Sequence, residues 1–514
     1  MSDGTLYIAS FCGAISVALI WKWRCRGPKL LFPPGPKGLP LLGNVLDLPK
    51  GVPMWRTFTS MSQKYDTEIL HVRVLTTDMI ILSNYEVVSD LVEKRSSIYS
   101  DRPRAPMLDL MGHYSWNIGV IGYGNLWKNS RRLLHEFLNV RAATNFDDYQ
   151  RKHAQRLLPL LVESPENFSD HIEFTLAALT MEMTYGLNVT SNEDRFLRAA
   201  VEAVRSTLRV MVPGAFLVDV IPILKYVPGW FPGAGFKTFA RVARGKSDLA
   251  VDGPLKHVKE LIKSDSGGNA SIAWKCLDRT LESANQGFDE NVIRAVTATM
   301  YMAAVETTVS VLHTFFLTMA LNPHVVRKAQ EELDSVLGGE RLPDFSDQEN
   351  LPYISAVIKE LFRWGCPFPI GVPKRVMEDD AYNGYFIPAG AIIVENVWKM
   401  FRDESVYPEP ETFDPERFLK DGKLDPSIKD PEQKIFGTGR RICPGRFFAM
   451  RAIFLNVTSV LTLFDIGAPK SEKLEAIFNE ERLMRIPSPF KCTIRPRSEA
   501  SLKLMRSVCT AADR

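Results

Sequence analysis

Phe436 to Arg446 reads FGTGRRICPGR, a glycine-rich turn that presents one cysteine directly ahead of a long, largely apolar stretch of helical composition. A thiolate at Cys443 is favoured by the free amides and macrodipole of a helix starting behind it. Pro444 suits the first turn of that helix. A thiolate held this way makes Cys443 a candidate ligand for iron. Gly439 and Gly445 let the backbone take positive φ or pass close to a flat macrocycle, and Arg441 can reach a carboxylate on its edge. A lone cysteine in an arbitrary chain is a small buried hydrophobe; here the neighbours carry the functional reading.

A second grouping lies in MAAVETTVS, where Glu306 is followed by Thr307 and Thr308. A carboxylate inside an apolar helix must be paired, protonated or solvated, and an acid beside a hydroxyl, linked by water, is a proton relay. Threonines bonded back to their own helix are the competing reading. Trp127 and Arg131, four apart in WKNSRRLLHEF, project an indole N–H and a guanidinium from one helix face. Glu360 and Arg363 in KELFR, three apart, can pair with each other. Each pair taken alone is equally an ordinary amphipathic or solvated face.

The elements that must position these groups are mainly helical. Asp289 to Leu321 reads as one long helix, apolar nearly all round, which should cross the interior of a domain. Thr67 to Leu82 alternates and is β-branched, predicting a small sheet near the N-terminus. Leu208 to Phe239 is broken by Pro and Gly, so two helices joined by an apolar loop are expected there. At the start, Gly4 to Trp21 holds 18 uncharged residues, followed at once by Lys22, Arg24 and Arg26. That length approaches a bilayer span, and basic residues after the run rather than before it indicate an uncleaved anchor with a cytoplasmic body. Pro33, Pro34 and Pro36 then stiffen a short spacer.

Composition sets wide limits. With 514 residues and 45% hydrophobic content the chain can bury a large core, and a net charge of +3 with no dense Lys/Arg stripe gives no sign of nucleic-acid binding. Seven scattered cysteines without a CxxC pair argue against a disulfide scaffold or a zinc site.

Phe436, Gly439, Arg441, Cys443 and Gly445 fit the pattern FxxGxRxCxG, and this stretch closely resembles the haem-binding loop of the cytochrome P450 family. The resemblance spans nearly the whole chain: anchor, proline hinge, WxxxR, ETT, ExxR, PERF and the cysteine loop follow in the family's order. It implies a mainly α fold with a small β region, preceded by a single N-terminal transmembrane helix, divided as anchor and basic flank (1–26), hinge (27–44) and haem-thiolate catalytic domain (45–514). It implies haem b with Cys443 as the axial thiolate, which pushes electron density onto iron and favours O–O cleavage. Trp127, Arg131, Arg441, Arg102 and Lys374 become donors to the haem propionates. Glu306 and Thr307 become the acid and hydroxyl of oxygen activation, Arg417 inserts between Glu360 and Arg363, and Phe368 to Val372 and Pro487 to Phe490 line the pocket. Two positions depart from the family. Ala304 stands where glycine is usual, which narrows the oxygen groove, stiffens the helix or alters coupling. Lys374 stands where relatives often have histidine, keeping donor and charge on a more flexible stem.

The implied activity is hydroxylation or epoxidation of a small lipophilic molecule, a terpenoid, sterol, polyketide or aromatic compound, by a protein of the endoplasmic reticulum membrane. VPGWFPGAGFK and PFKCTIRPRS look most like fungal microsomal members of secondary metabolism or xenobiotic oxidation. No Walker loop or dinucleotide fingerprint is present, so electrons are expected from a separate NADPH–cytochrome P450 reductase, with cytochrome b5 as an optional second donor. Arg131, Arg132, Arg440 and Arg446 are candidates for the docking face. A haem-thiolate isomerase or dehydratase and a non-enzymatic haem sensor are the alternatives; neither needs both Glu306 and Thr307.

Overall fold

The structure is a computed structural model that describes residues 30–48, 51–212, 214–264, 270–282, 288–470, 473–480 and 483–512. The proposed anchor, Gly4 to Trp21, and its basic flank lie outside the described residues. Among the longer helices are α1 (Asn125–Leu138), α2 (Asp147–Glu163), α3 (Phe168–Tyr185), α4 (Arg195–Val210), α5 (Gly235–Lys263), α6 (Glu290–Leu321), α7 (Pro352–Gly365) and α8 (Arg446–Leu463).

The architecture is built on α6. Asp289 caps it, accepting a 2.7 Å hydrogen bond from the Asn291 amide at the helix's positive end. Apolar residues surround the axis, so the helix is covered on all sides, with α3, α5, α1 and α8 packed against it. Its buried threonines donate to carbonyls one turn back, Thr297 to Ile293 at 2.9 Å and Thr314 to Ser310 at 2.8 Å. Those bonds satisfy hydroxyls that would otherwise be stranded in the core. Both α6 and α8 are long and apolar enough to cross a membrane, yet most of each is buried within the protein.

The β region expected at 67–82 is a hairpin of β1 (Ile69–Val74) and β2 (Thr77–Leu82), turning at Leu75 with φ 52°. Two later segments, β3 (Lys374–Arg375) and β4 (Ile392–Glu395), complete a sheet of order β1-β2-β4-β3. β4 runs parallel to β2, with Glu395 opposite Leu82, and antiparallel to β3, with Lys374 opposite Ile393. The sheet has its own apolar core, including Leu70, Ile81 and Val394, beside the larger helical one.

On α7, Glu360 and Arg363 are fully buried. Arg363 also donates to the carbonyls of Phe401 and Pro410, and Arg417 donates to Glu360 at 3.3 Å. Three distant segments are thus held on one carboxylate and one guanidinium. Between α4 and α5 the chain makes two short turns, Leu217–Val220 and Pro222–Tyr226, with Leu217, Ile223, Tyr226 and Trp230 exposed.

Candidate active site

The cysteine loop leaves a 3-10 turn at Gly439–Arg441 and enters α8 at Arg446, with Gly445 as its N-cap. Pro444 therefore stands one residue before the cap rather than inside the first turn, because the Gly445 backbone (φ −87°, ψ 8°) makes the bend that admits the helix. The Cys443 amide donates to the Phe436 carbonyl at 2.7 Å, closing the loop on itself. Gly439 has φ +63°, and a Cβ there would lie 2.3 Å from the Val92 carbonyl oxygen, so the loop's seat against the neighbouring chain requires glycine. A Cβ on Gly445 would sit 4.0 Å from the Cys443 sulfur, at contact distance. Burial pushes the Cys443 thiol above its ordinary range, opposed by the Gly445 amide and by the charges of Arg131 and Arg446. The helix terminus and the arginines act in the expected direction, but desolvation outweighs them until a cation binds the sulfur.

Cys443 opens on a cavity of about 350 Å³. One wall is α6, contributing Ala303, Ala304, Thr307 and Thr308; another is α1, contributing Trp127 and Arg131; Phe368 and Val372 close a third side. Among the described cysteines, Cys276, Cys366 and Cys492 do not line it.

Three guanidiniums face the cavity. Arg441 donates to the carbonyls of Ser100, Ile118 and Ile121 and lies 4.5 Å from the centre of the Trp127 ring. Arg102 donates to Gly119, Val372 and Pro373, and Arg131 donates to the Ile442 carbonyl at 2.8 Å, next to the cysteine. Among the described residues none of the three pairs with a carboxylate. Burial lowers Arg441 to about 9 and Arg102 to about 10, and it lowers Arg131 as well. Cations held in such places without counter-ions cost several kcal/mol, so the cradle suits a ligand that brings its own carboxylates.

Lys374 lines the same cavity, but its ammonium is held by Glu395 and lies 3.4 Å from the Thr438 hydroxyl. Glu395 and Thr438 were not visible as site residues in the sequence: the glutamate sits in an unremarkable VENVW, and its partners are 21 and 43 residues away. On α6, Thr307 donates to Ala303 at 3.1 Å and Thr308 to Ala304 at 2.9 Å, the back-bonded arrangement, with the Thr307 side chain on the cavity wall. Glu306 is half-buried one position earlier and does not line the cavity. The segment Pro487 to Phe490 is likewise outside the lining; Phe490 packs its ring 5.3 Å from Phe168 in the helical core. Of the four arginines expected to dock a partner, Arg132 and Arg440 are exposed, while Arg131 and Arg446 are half-buried beside the cysteine.

Residues 33–494 match the sequence model of the family described as Cytochrome P450. The chain belongs to the cytochrome P450 family. It is 39% identical over 500 residues to cytochrome P450 monooxygenase COX2 of Coprinopsis cinerea, covering 96% of this chain and 94% of that protein. It is 36% identical to cytochrome P450 monooxygenase ple1 of Rhodocybe pseudopiperita, covering 98% and 97% respectively. It is 35% identical to tryptamine 4-monooxygenase of Psilocybe cyanescens, covering 93% and 95%. P450 proteins carry haem with a cysteine thiolate on the iron, and the cavity fits that group: one sulfur on its wall and, among the described residues, guanidiniums that pair with no carboxylate.

Proposed function

We propose that this chain is a membrane-anchored haem-thiolate monooxygenase that inserts one oxygen atom from O2 into a small lipophilic substrate, with electrons from a separate NADPH reductase. The observation that carries this reading is the placement of Cys443 and Thr307 on the walls of one largely apolar cavity. Bound haem supplies the oxygen chemistry. The chain's own residues hold it and control protons and access. Cys443 would hold the haem iron through its sulfur. Arg102, Arg131 and Arg441 with Trp127 receive the propionates. Thr307 donates its hydroxyl proton to the Ala303 carbonyl and lines the cavity, so its oxygen would be available to accept a hydrogen bond from a water there; relaying a proton would require it to release the bond to Ala303 as it accepts. Glu306 is the acid behind it.

Substrate chemistry follows from the lining. Among the described residues the only acid lining the cavity is Glu395, already engaged by Lys374 and Thr438. A free ammonium on the substrate would find no counter-ion, which favours a neutral terpenoid, sterol, polyketide or aromatic compound over an amine such as the one named for the Psilocybe relative. The exposed apolar turns between α4 and α5, together with exposed Leu31, Leu41 and Leu46 on either side of the proline spacer, support a body resting on a membrane surface, with the endoplasmic reticulum as its compartment.

The test is product analysis on membranes carrying the chain and a reductase, given a mixed panel of neutral terpenes, sterols and aromatics with and without NADPH. A product one oxygen heavier, formed only with NADPH, is expected. Equal turnover without NADPH would replace this reading with the isomerase one. A Cys443→Ala protein that still showed a thiolate-ligated haem spectrum would remove the ligand assignment.

A further inference from the structure

Glu395 is the one described carboxylate on the wall of a largely apolar cavity whose other charged residues are all cations. It is 2% exposed, at the end of β4. The Thr438 hydroxyl lies 2.9 Å from each of its oxygens, and Lys374 of β3 closes on Oε1. Thr438 immediately precedes Gly439 in the cysteine loop and is 1% exposed. The three side chains, all buried, therefore tie two strands of the sheet to the loop that carries Cys443.

An isolated carboxylate facing a ligand with two carboxylates of its own would be strongly repulsive in a dry site. Its neutralisation by Lys374 removes that repulsion. It also alters what Lys374 can do: an ammonium bonded to a buried glutamate is not the independent propionate donor that the sequence suggested. Arg102 and Arg441 both lie close enough to influence the Lys374 charge, and Glu395 influences Arg102 in return, so the pair and the arginine cradle share one electrostatic environment.

We propose that Glu395 is a positioning residue for the haem, binding the Lys374 ammonium and the Thr438 hydroxyl so that a neutral pair, rather than a free cation, borders the propionates and sets the reduction potential of the iron. The proposal rests on the cavity being the haem site. Removing the negative member exposes the iron to an extra positive charge and favours the reduced state; removing the positive member does the opposite. A unit charge about 12 Å away, at an effective dielectric near 20, changes a one-electron equilibrium about tenfold, which is about 59 mV.

The experiment is spectroelectrochemical titration of the full-length holoprotein and of Glu395→Gln, Lys374→Gln and the double variant, with haem content and the ferrous–CO spectrum recorded for each. Glu395→Gln should raise the midpoint by about a tenfold change in equilibrium, Lys374→Gln should lower it by a similar amount, and the double variant should return to the wild-type value. If either single variant fails to retain haem, the double must recover it. Shifts of the same sign, no shift in either single variant, a double that behaves as Lys374→Gln alone, or haem loss in all three would overturn the pairing. The last two outcomes would leave Lys374 as a direct propionate donor or the triad as simple packing. A wild-type protein without a thiolate spectrum would instead remove the haem-site reading, and the proposal with it.

Discussion

Arg363 donates two hydrogen bonds of 2.7 Å to Glu360, one to each carboxylate oxygen, and neither side chain is exposed. The geometry is bidentate and the remaining guanidinium hydrogens are taken by backbone carbonyls, so the pair is fully satisfied where it lies. Breaking a buried pair by removing one partner costs about 3–5 kcal/mol, because the survivor is left charged and unpaired. Glu360→Ala should therefore fall by that amount in urea unfolding monitored by tryptophan fluorescence, or fail to accumulate as holoprotein. Stability within about 1 kcal/mol of wild type would show that the segment carrying Arg417 holds without it.

Arg441 commits all three of its guanidinium nitrogens to backbone carbonyls, and that arrangement predicts its variants. Arg441 spreads three bonds over Ser100, Ile118 and Ile121, so Arg441→Lys keeps the charge but loses the fork that spans them. Haem titration of the apoprotein should show about a tenfold or greater loss of affinity for Arg441→Ala, since hydrogen bonds to charged groups contribute about 1.5–3 kcal/mol, with Arg441→Lys between it and the wild type. Equal affinities for all three would sink the role.

Thr307 can be separated from its helix. Thr307→Val keeps shape and removes the hydroxyl; Thr307→Ser keeps the hydroxyl. With a reductase present, the valine variant should lose about 100-fold in the rate of product formation, within the usual range for a lost proton-transfer group, with a lower yield of product per electron consumed, and serine should restore most of both. Measured coupling unchanged in Thr307→Val would mean that the hydroxyl serves only its bond to Ala303.

Gly439→Ala tests the seat of the cysteine loop without touching the sulfur. The substitution forces a left-handed residue, at about 1–2 kcal/mol, and places a methyl 2.3 Å from the Val92 oxygen. Thermal unfolding of the holoprotein should shift down by several degrees and haem retention should fall with it. Normal retention and an unchanged transition would mean that the loop has room the geometry denies.

The path of α6 could be read from its unbroken apolar pattern, and the cysteine loop from five residues that all lie within ten positions. The small sheet at 67–82 followed from β-branched alternation, though not its form as a hairpin. Each of these is local, and local periodicity survives into the fold. What was not legible is long-range. Lys374 carries the right charge for a propionate donor, and nothing in GVPKRV says that a glutamate 21 residues later will occupy it. The packing of Phe490 against Phe168 is also decided by geometry that residue spacing does not encode, whereas the back-bonding of Thr307 was one of the two readings the sequence offered. Burial had the same effect at Cys443, where the helix terminus was visible in sequence and the desolvation opposing it was not.

Arg102 joins two parts of the cavity through one side chain. Its guanidinium faces the cavity while Nη1 is bound at 2.6 Å to the carbonyls of Val372 and Pro373, in the segment whose side chains border the space for substrate. A molecule that pushes Val372 outward must stretch those bonds or carry the guanidinium along. Occupancy of the apolar space and the electrostatic potential within the arginine cradle are therefore linked thermodynamically: whatever free energy the one transmits to Arg102, the other must return.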